Sequence, residues 1–251
     1  MKYFVIVIIA LVALAGIFTF QKSKTILKQT IHQQISPTVL IPPSDSEVTI
    51  QDHVFSIYWQ LIDAEDLTLI PNFTEKKTAS QIIEKNDCKY GANGGFYTTD
   101  YKPIGLFRTQ SGQLSKATSN ATLNGFFSKN SRGVLTLSRN ASSDEINFAL
   151  QSGPYMTPSS QLSIKNDSYN RRILVAQTNS NAWYFLAITE KDNSFSGPKL
   201  SDVPIILEKL PLGIIEALNL DGGSASAFYS GKGVRLGELT SIGSFFCGKK
   251  L

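Results

Sequence analysis

The chain predicts a single α+β domain on a mixed, mainly antiparallel sheet with a few helices, preceded by an N-terminal membrane segment. Three observations carry that expectation. Many short apolar runs are separated by turn-forming residues, as strands are. Only two segments of the later chain have helical spacing, 78–86 and 200–210. Two apolar runs end in a polar side chain followed by paired glycines, Asn93-Gly94-Gly95 and Asp221-Gly222-Gly223. Many strands with two helices describe an α+β domain. At 251 residues the chain fills one sizeable core rather than two.

Residues 3–20 carry no charge, which reaches the lower limit for a membrane-crossing helix. Ala13-Leu14-Ala15 resembles a signal-peptidase site, but Ile17, Phe18 and Phe20 continue the apolar run beyond it. Residues 1–20 are therefore expected as a transmembrane anchor or a signal peptide, with the uncleaved anchor favoured. Residues 21–47 contain Pro37, Pro42 and Pro43 with several Gln and Ser, and are expected as a flexible tether. Residues 48–251 form the folded domain. Lys2, Lys22, Lys24 and Lys28 all precede the first acid, Asp45, so the 24 basic and 20 acidic residues balance within the domain. No basic stripe of the kind nucleic acids require is present.

Along the domain, 53–62 reads as a strand, with Phe55, Ile57 and Trp59 alternating with Ser56, Tyr58 and Gln60. Residues 67–70 are its expected hairpin partner. The helix at 78–86 offers Ile82 and Ile83 to the core. Strands at 104–108, 122–128 and 134–138 follow, then a corner at Gln151-Ser152-Gly153-Pro154. Residues 172–178 and 182–189 form a hairpin across Asn179-Ser180-Asn181, dense enough in apolar residues to be the sheet centre. Ser201 is the expected N-cap of the helix at 200–210, with Asp202 near its positive end and Pro204 in the tolerant first turn. A strand at 214–220 leads into the Asp221 turn, and a final strand or two fill 225–246.

The chemistry open to such a chain is narrow. His32, in the tether, and His53 are the only histidines, and no motif pairs either with Ser224 or Cys88 as a nucleophile. Two histidines and two distant cysteines give no metal-ligand spacing, and no cofactor is predicted. Neither glycine pair is followed by the lysine of a P-loop. Cys88 and Cys247 suit either an extracytoplasmic disulfide or two separate buried thiols. Carboxylates remain. On an extended strand Asn219 and Asp221 share one face, and Asp100 follows the first glycine turn closely enough to reach the same region. Gly222 and Gly223 would present their N–H groups as an anion-binding nest, and Arg171 or Arg172 would hold a phosphate through paired hydrogen bonds.

An ordered set of motifs spans roughly 48–247: Asn93-Gly94-Gly95-Phe96-Tyr97, Pro103-Ile104-Gly105-Leu106, Leu123-Asn124-Gly125-Phe126-Phe127, Gln151-Ser152-Gly153-Pro154, Arg171 before an apolar strand, and Asn219-Leu220-Asp221-Gly222-Gly223-Ser224. This set resembles the phosphodiester glycosidase family. The resemblance implies a domain of that fold that cleaves the bond between a sugar's anomeric carbon and a phosphodiester. It implies that Asp221, Arg171 and Asn93 carry the catalysis. Gly94, Gly95, Asp100, Asn124, Ser152, Gly153, Asn219, Gly222, Gly223 and Ser224 complete the expected substrate-binding set. The implied partner is a sugar phosphodiester or polysaccharide, met in an extracytoplasmic space by a membrane-anchored or secreted protein. Bacterial members are often linked with exopolysaccharide. The chain departs from the family pattern at Arg172, Val175 and Ser224. Those departures motivate an alternative, a catalytically silent carbohydrate or cell-envelope binding module of the same fold.

Overall fold

The computed structural model describes residues 44–141 and 146–250. The expected anchor at 1–20 and nearly all of the tether lie outside the described residues. Among the described residues no helix is long and apolar enough to cross a membrane.

Strand β2 (His53–Leu61) forms where the alternation places it. Its hairpin partner, however, is β1 (Ser46–Ile50) and not 67–70. The domain therefore begins two residues inside the segment expected as tether, because Val48 fills a core position. After β2 the chain leaves the first sheet. The Ile62 N–H donates to the Trp183 carbonyl at 2.8 Å, and the Asp63 N–H donates to the Tyr90 hydroxyl at 2.8 Å. This crossing delivers β3 (Thr68–Pro71) to a second sheet, where it pairs with β16 (Ser244–Gly248).

Three antiparallel sheets result, so the expected mixed character is corrected: each strand pairing among the described residues is antiparallel. The first sheet places β11 (Arg172–Thr178) and β12 (Trp183–Glu190) at its centre. They are flanked by β2 and β1 on one side and by β13 (Ile214–Asn219) and β10 (Tyr155–Met156) on the other. The second sheet runs β15 (Arg235–Leu236), β14 (Phe228–Tyr229), β4 (Tyr90–Asn93), β16 and β3. The third contains β5 (Phe107–Thr109), β6 (Gly112–Ser115), β7 (Gly125–Asn130), β8 (Leu135–Ser138) and β9 (Ile146–Ser152).

Alternation along the central strands decides what fills each side. Ile173, Val175, Phe185 and Ala187 point into a core shared by all three sheets, with Phe127, Phe148 and Phe246 at its middle. Leu174, Ala176, Leu186 and Ile188 point the other way, under helix α2 (Val203–Lys209). Helix α1 (Ala79–Asn86) covers the outer side of the second sheet. Thr78 and Gln81 form a reciprocal capping box at its start, and the Ala79 N–H also donates to the Glu238 carboxylate at 2.8 Å. The start of α2 departs from expectation. A 3-10 turn (Leu200–Asp202) precedes it, and Ser201 makes no cap. The Asp167 carboxylate instead accepts the N–H groups of Leu200 and Ser201, each at 2.8 Å.

Candidate active site

Strands β4 and β13 belong to different sheets, yet the glycine turns that end them meet. The Asp221 N–H donates to the Gly94 carbonyl at 3.0 Å. The Asn93 side chain reinforces the junction, its Nδ2 donating to the Asp221 carbonyl at 2.7 Å and to the Gly94 carbonyl at 3.1 Å. Its Oδ1 accepts the Ala227 N–H at 2.9 Å. Asn93 is 1% exposed and its polar atoms serve the protein backbone. Gly94 is required by contact: a Cβ there would stand 2.2 Å from the Ser244 Oγ.

Asp221 is mostly buried at this junction. Its Oδ1 accepts the Gly222 N–H at 2.9 Å. Burial outweighs that bond and pushes the carboxyl up to about 7. At neutral pH the side chain is thus divided between acid and base, which suits proton transfer.

The anion nest expected from Gly222 and Gly223 does not form. The Gly222 N–H is taken by Asp221, and the Gly223 N–H donates to the Arg171 carbonyl at 3.0 Å. Gly223 adopts a positive φ of 59°, which glycine tolerates, and the turn closes on itself.

The two arginines separate. Arg171 lies against the turn, its Nε donating to the Gly223 carbonyl at 3.1 Å and one terminal nitrogen to Gly237 at 2.8 Å. Its Nη2 is buried without a partner, and burial lowers the guanidinium's pKa. Arg172 points elsewhere, donating to Pro198 and Ser168 carbonyls and standing 3.6 Å from the Asp167 carboxylate. Val175 is fully buried in the shared core. Two of the sequence departures thus fall on scaffold positions.

The other expected site residues divide. Ser224 joins the Asp221 turn, its carbonyl accepting the N–H groups of Leu239 and Thr240 at 2.7 and 3.2 Å. Gly95 packs against Leu150. Asn219 turns to the backbone, its Nδ2 donating to the Gly153 and Leu220 carbonyls at 3.0 and 2.8 Å. Ser152 donates from its Oγ to the Asn219 carbonyl at 2.7 Å, and Asn124 accepts the Tyr155 N–H at 2.7 Å. Gly153 sits where a Cβ would strike the Thr122 carbonyl. These four knit the strand approaching Asp221 to the third sheet. Asp100 is exposed at the tip of a neighbouring turn.

Sequence reasoning missed Tyr97. Its hydroxyl donates to the Ser241 carbonyl, and burial together with the Asp221 charge raises its pKa. Its place two residues beyond the first glycine pair was a usable signal. Cys88 and Cys247 form a disulfide that ties the end of α1 to β16.

A family model for phosphodiester glycosidase matches residues 86–242, from the end of α1 to the loop before β16. The chain belongs to the phosphodiester glycosidase family. No curated protein sequence matches it. Among solved structures, this phosphodiester glycosidase domain is similar to the catalytic domain of zebrafish N-acetylglucosamine-1-phosphodiester α-N-acetylglucosaminidase, auto-inhibited by its pro-peptide. That alignment has 12% identity and a TM-score of 0.60, and covers 82% of this chain and 81% of the other. It is also similar to a hypothetical protein from Synechocystis, at 13% identity and a TM-score of 0.59, over 80% of this chain and 60% of that one. At these identities the likeness is one of fold. Within it, the phosphodiester glycosidase domain presents Asp221 between two glycine turns, a disulfide of the kind that oxidising compartments maintain, and Arg171 behind the site.

Proposed function

We propose that the domain hydrolyses the glycosidic bond of a sugar 1-phosphodiester in an extracytoplasmic space, with Asp221 as its general base. The observation that carries this reading is the Asp221 carboxyl, held between the two glycine turns and raised to about 7 by burial. A phosphodiester leaves as a weakly basic anion and needs little protonation, so a single carboxylate suffices. Water attacks the anomeric carbon, the carbon–oxygen bond to phosphate breaks, and the phosphate departs with the bonding pair. Asp221 takes the proton that the water loses. A carboxylate that titrates near 7 is a stronger base than an ordinary one, and a water-poor site raises the worth of each charge. Asn93 and Arg171 act by holding the two turns and the 237–240 loop in place. N-acetylglucosamine, the sugar named for the zebrafish relative, is the first to try.

The test incubates the protein and its Asp221→Asn variant with a panel of sugar 1-phosphodiesters, nucleotide sugars included, and measures free sugar. Release by the wild type, reduced at least about a hundredfold in the variant, is expected. Equal release by both removes Asp221 from the mechanism. A specific observation favours a second reading, a binding module: the glycine N–H groups and two arginine nitrogens are already spent on the protein. Glycan binding without any turnover would select it.

A further inference from the structure

A cleft of about 460 Å³ opens on the third sheet, between the 117–124 loop and the residues that follow β8. That volume is in the range of small-molecule sites. Asp221 and the residues of its two glycine turns do not line it, and none of the residues that do is acidic.

Two carboxamides in the cleft are oriented by the backbone. The Asn120 Oδ1 accepts the N–H groups of Thr122 and Leu123 at 2.8 and 3.1 Å. The Asn124 Oδ1 accepts the Tyr155 N–H at 2.7 Å. A carboxamide whose oxygen accepts a backbone N–H keeps its NH2 group for another partner. Neither Nδ2 has a protein partner among the described residues.

Arg139 adds a cation to the same cleft. It is exposed, and among the described residues it makes no ion pair and no hydrogen bond. Its Cζ stands 4.5 Å from the centre of the Tyr155 ring. That ring is fixed in turn. Its hydroxyl donates to the Glu216 carboxylate, and Gly125 leaves room for it, since a Cβ there would stand 2.9 Å from the Tyr155 Cβ. A cation placed on a ring face is held without spending its N–H groups.

The floor is rigid. The Gln151 Oε1 accepts the N–H groups of Leu106 and Thr118 at 3.0 and 2.9 Å, and its Nε2 donates to the Thr118 and Leu123 carbonyls, each at 2.7 Å. Every donor and acceptor of this side chain is filled, so it ties the loop that carries Asn120 and Asn124 to β9. Leu123 and Phe126 add apolar surface. Phe126 is the one ring among the lining residues and is buried, so the cleft offers no open aromatic face for a nucleobase to stack on.

We infer that Arg139, Asn120 and Asn124 form a binding site for an acidic saccharide. The guanidinium takes the carboxylate or phosphate through paired N–H groups. The two amide nitrogens donate to the sugar's oxygens. The site makes no use of Asp221, so turnover there neither supports nor removes it.

The test titrates the full-length protein with glucuronic acid and with glucose 6-phosphate, and follows the side-chain N–H signals of Asn120 and Asn124 by NMR. Glucose and inorganic phosphate are the controls. An acidic sugar is expected to shift those signals and to bind more tightly than either control, and the tighter of the two identifies the preferred anion. Arg139→Gln should weaken that binding about tenfold and leave glucose unchanged. Asn120→Asp keeps the oxygen that the Thr122 and Leu123 N–H groups need but replaces the donor by a negative charge. It should therefore fold normally, as thermal unfolding checks, and also bind acidic sugars less tightly. Asp221→Asn should bind as the wild type does. Equal affinity in wild type and Arg139→Gln overturns the site, as does a wild type that binds neither acidic sugar. Inorganic phosphate bound as tightly as glucose 6-phosphate, with glucuronic acid unbound, overturns the saccharide assignment. Binding lost in Asp221→Asn instead of Arg139→Gln overturns its location.

Discussion

The Asn93 carboxamide donates to the Asp221 carbonyl at 2.7 Å across 128 residues of sequence, and so joins the ends of two strands from different sheets. Together with the Asp221 N–H to Gly94 carbonyl bond at 3.0 Å, it holds the Asp221 backbone against the first glycine turn. Asn93→Ala breaks this bond and two others in a dry site. It leaves the Ala227 N–H and the Asp221 carbonyl short of a partner, while the Gly94 carbonyl keeps the Asp221 N–H, a loss of about 2–4 kcal/mol in stability. Urea unfolding measures it, and a loss below about 0.5 kcal/mol contradicts the staple.

Asp221 makes stability depend on pH in a defined direction. Its folded pKa is raised from the ordinary 3.8 to about 7, so the native state holds more protons than the unfolded state between those values. Stability therefore falls as pH rises through that window, and the loss is complete above it. At most it is on the order of 4 kcal/mol. Asp221→Asn removes it. The variant should match the wild type near about pH 4 and exceed it near about pH 8. A stability difference that does not change between those two conditions shows that Asp221 titrates normally. In the proposed reaction the same group makes kcat/KM climb with pH toward a plateau above about 7.

Gly94 and Ser244 occupy space that a single methyl group would dispute. A Cβ on residue 94 would meet the Ser244 Oγ at 2.2 Å and the Ser244 Cβ at 3.2 Å. Gly94→Ala should destabilise by about 2 kcal/mol or more. The Ser244 hydroxyl is buried without a partner, so Ser244→Ala by itself should change little. Combined, the two substitutions should recover part of the loss. Strict additivity in thermal unfolding would locate the strain elsewhere.

The Cys88–Cys247 disulfide spans 159 residues and lies at the join between α1 and β16. Replacing both cysteines by alanine should cost about 3–5 kcal/mol, because a long loop is no longer closed in the unfolded chain. Denaturant midpoints with and without reductant report it. Insensitivity of the wild type to reductant, in a form shown to be reduced, contradicts that estimate.

Much of this molecule was legible in one dimension. Alternation located β2, apolar runs between turn residues located β11, β12 and β13, and helical spacing with Ile82 and Ile83 located α1. These signals are local, since side-chain period and turn formation depend on neighbours a few residues away. The Asp221 turn was legible for the same reason, as an acid and two glycines closing an apolar run. Strand partners were not. β3 was paired with β2 by proximity, although it belongs with β16 at the far end of the chain. The cap of the 200–202 turn came from Asp167, a partner 33 residues away that no local pattern marks.

The sequence by itself determined the class of the domain, the places of its main strands and helices, and the polar groups at its two glycine turns. Only the tertiary structure decided what those groups do. It spent Asn93, Arg171 and the Gly223 N–H on the backbone and the Gly222 N–H on the Asp221 carboxylate, and left Asp221 largely buried without a cation to hold it ionised. Residue type and spacing set what a side chain is able to bond. Which bonds it makes, and whether its charge is desolvated, depend on groups that folding brings from distant parts of the chain.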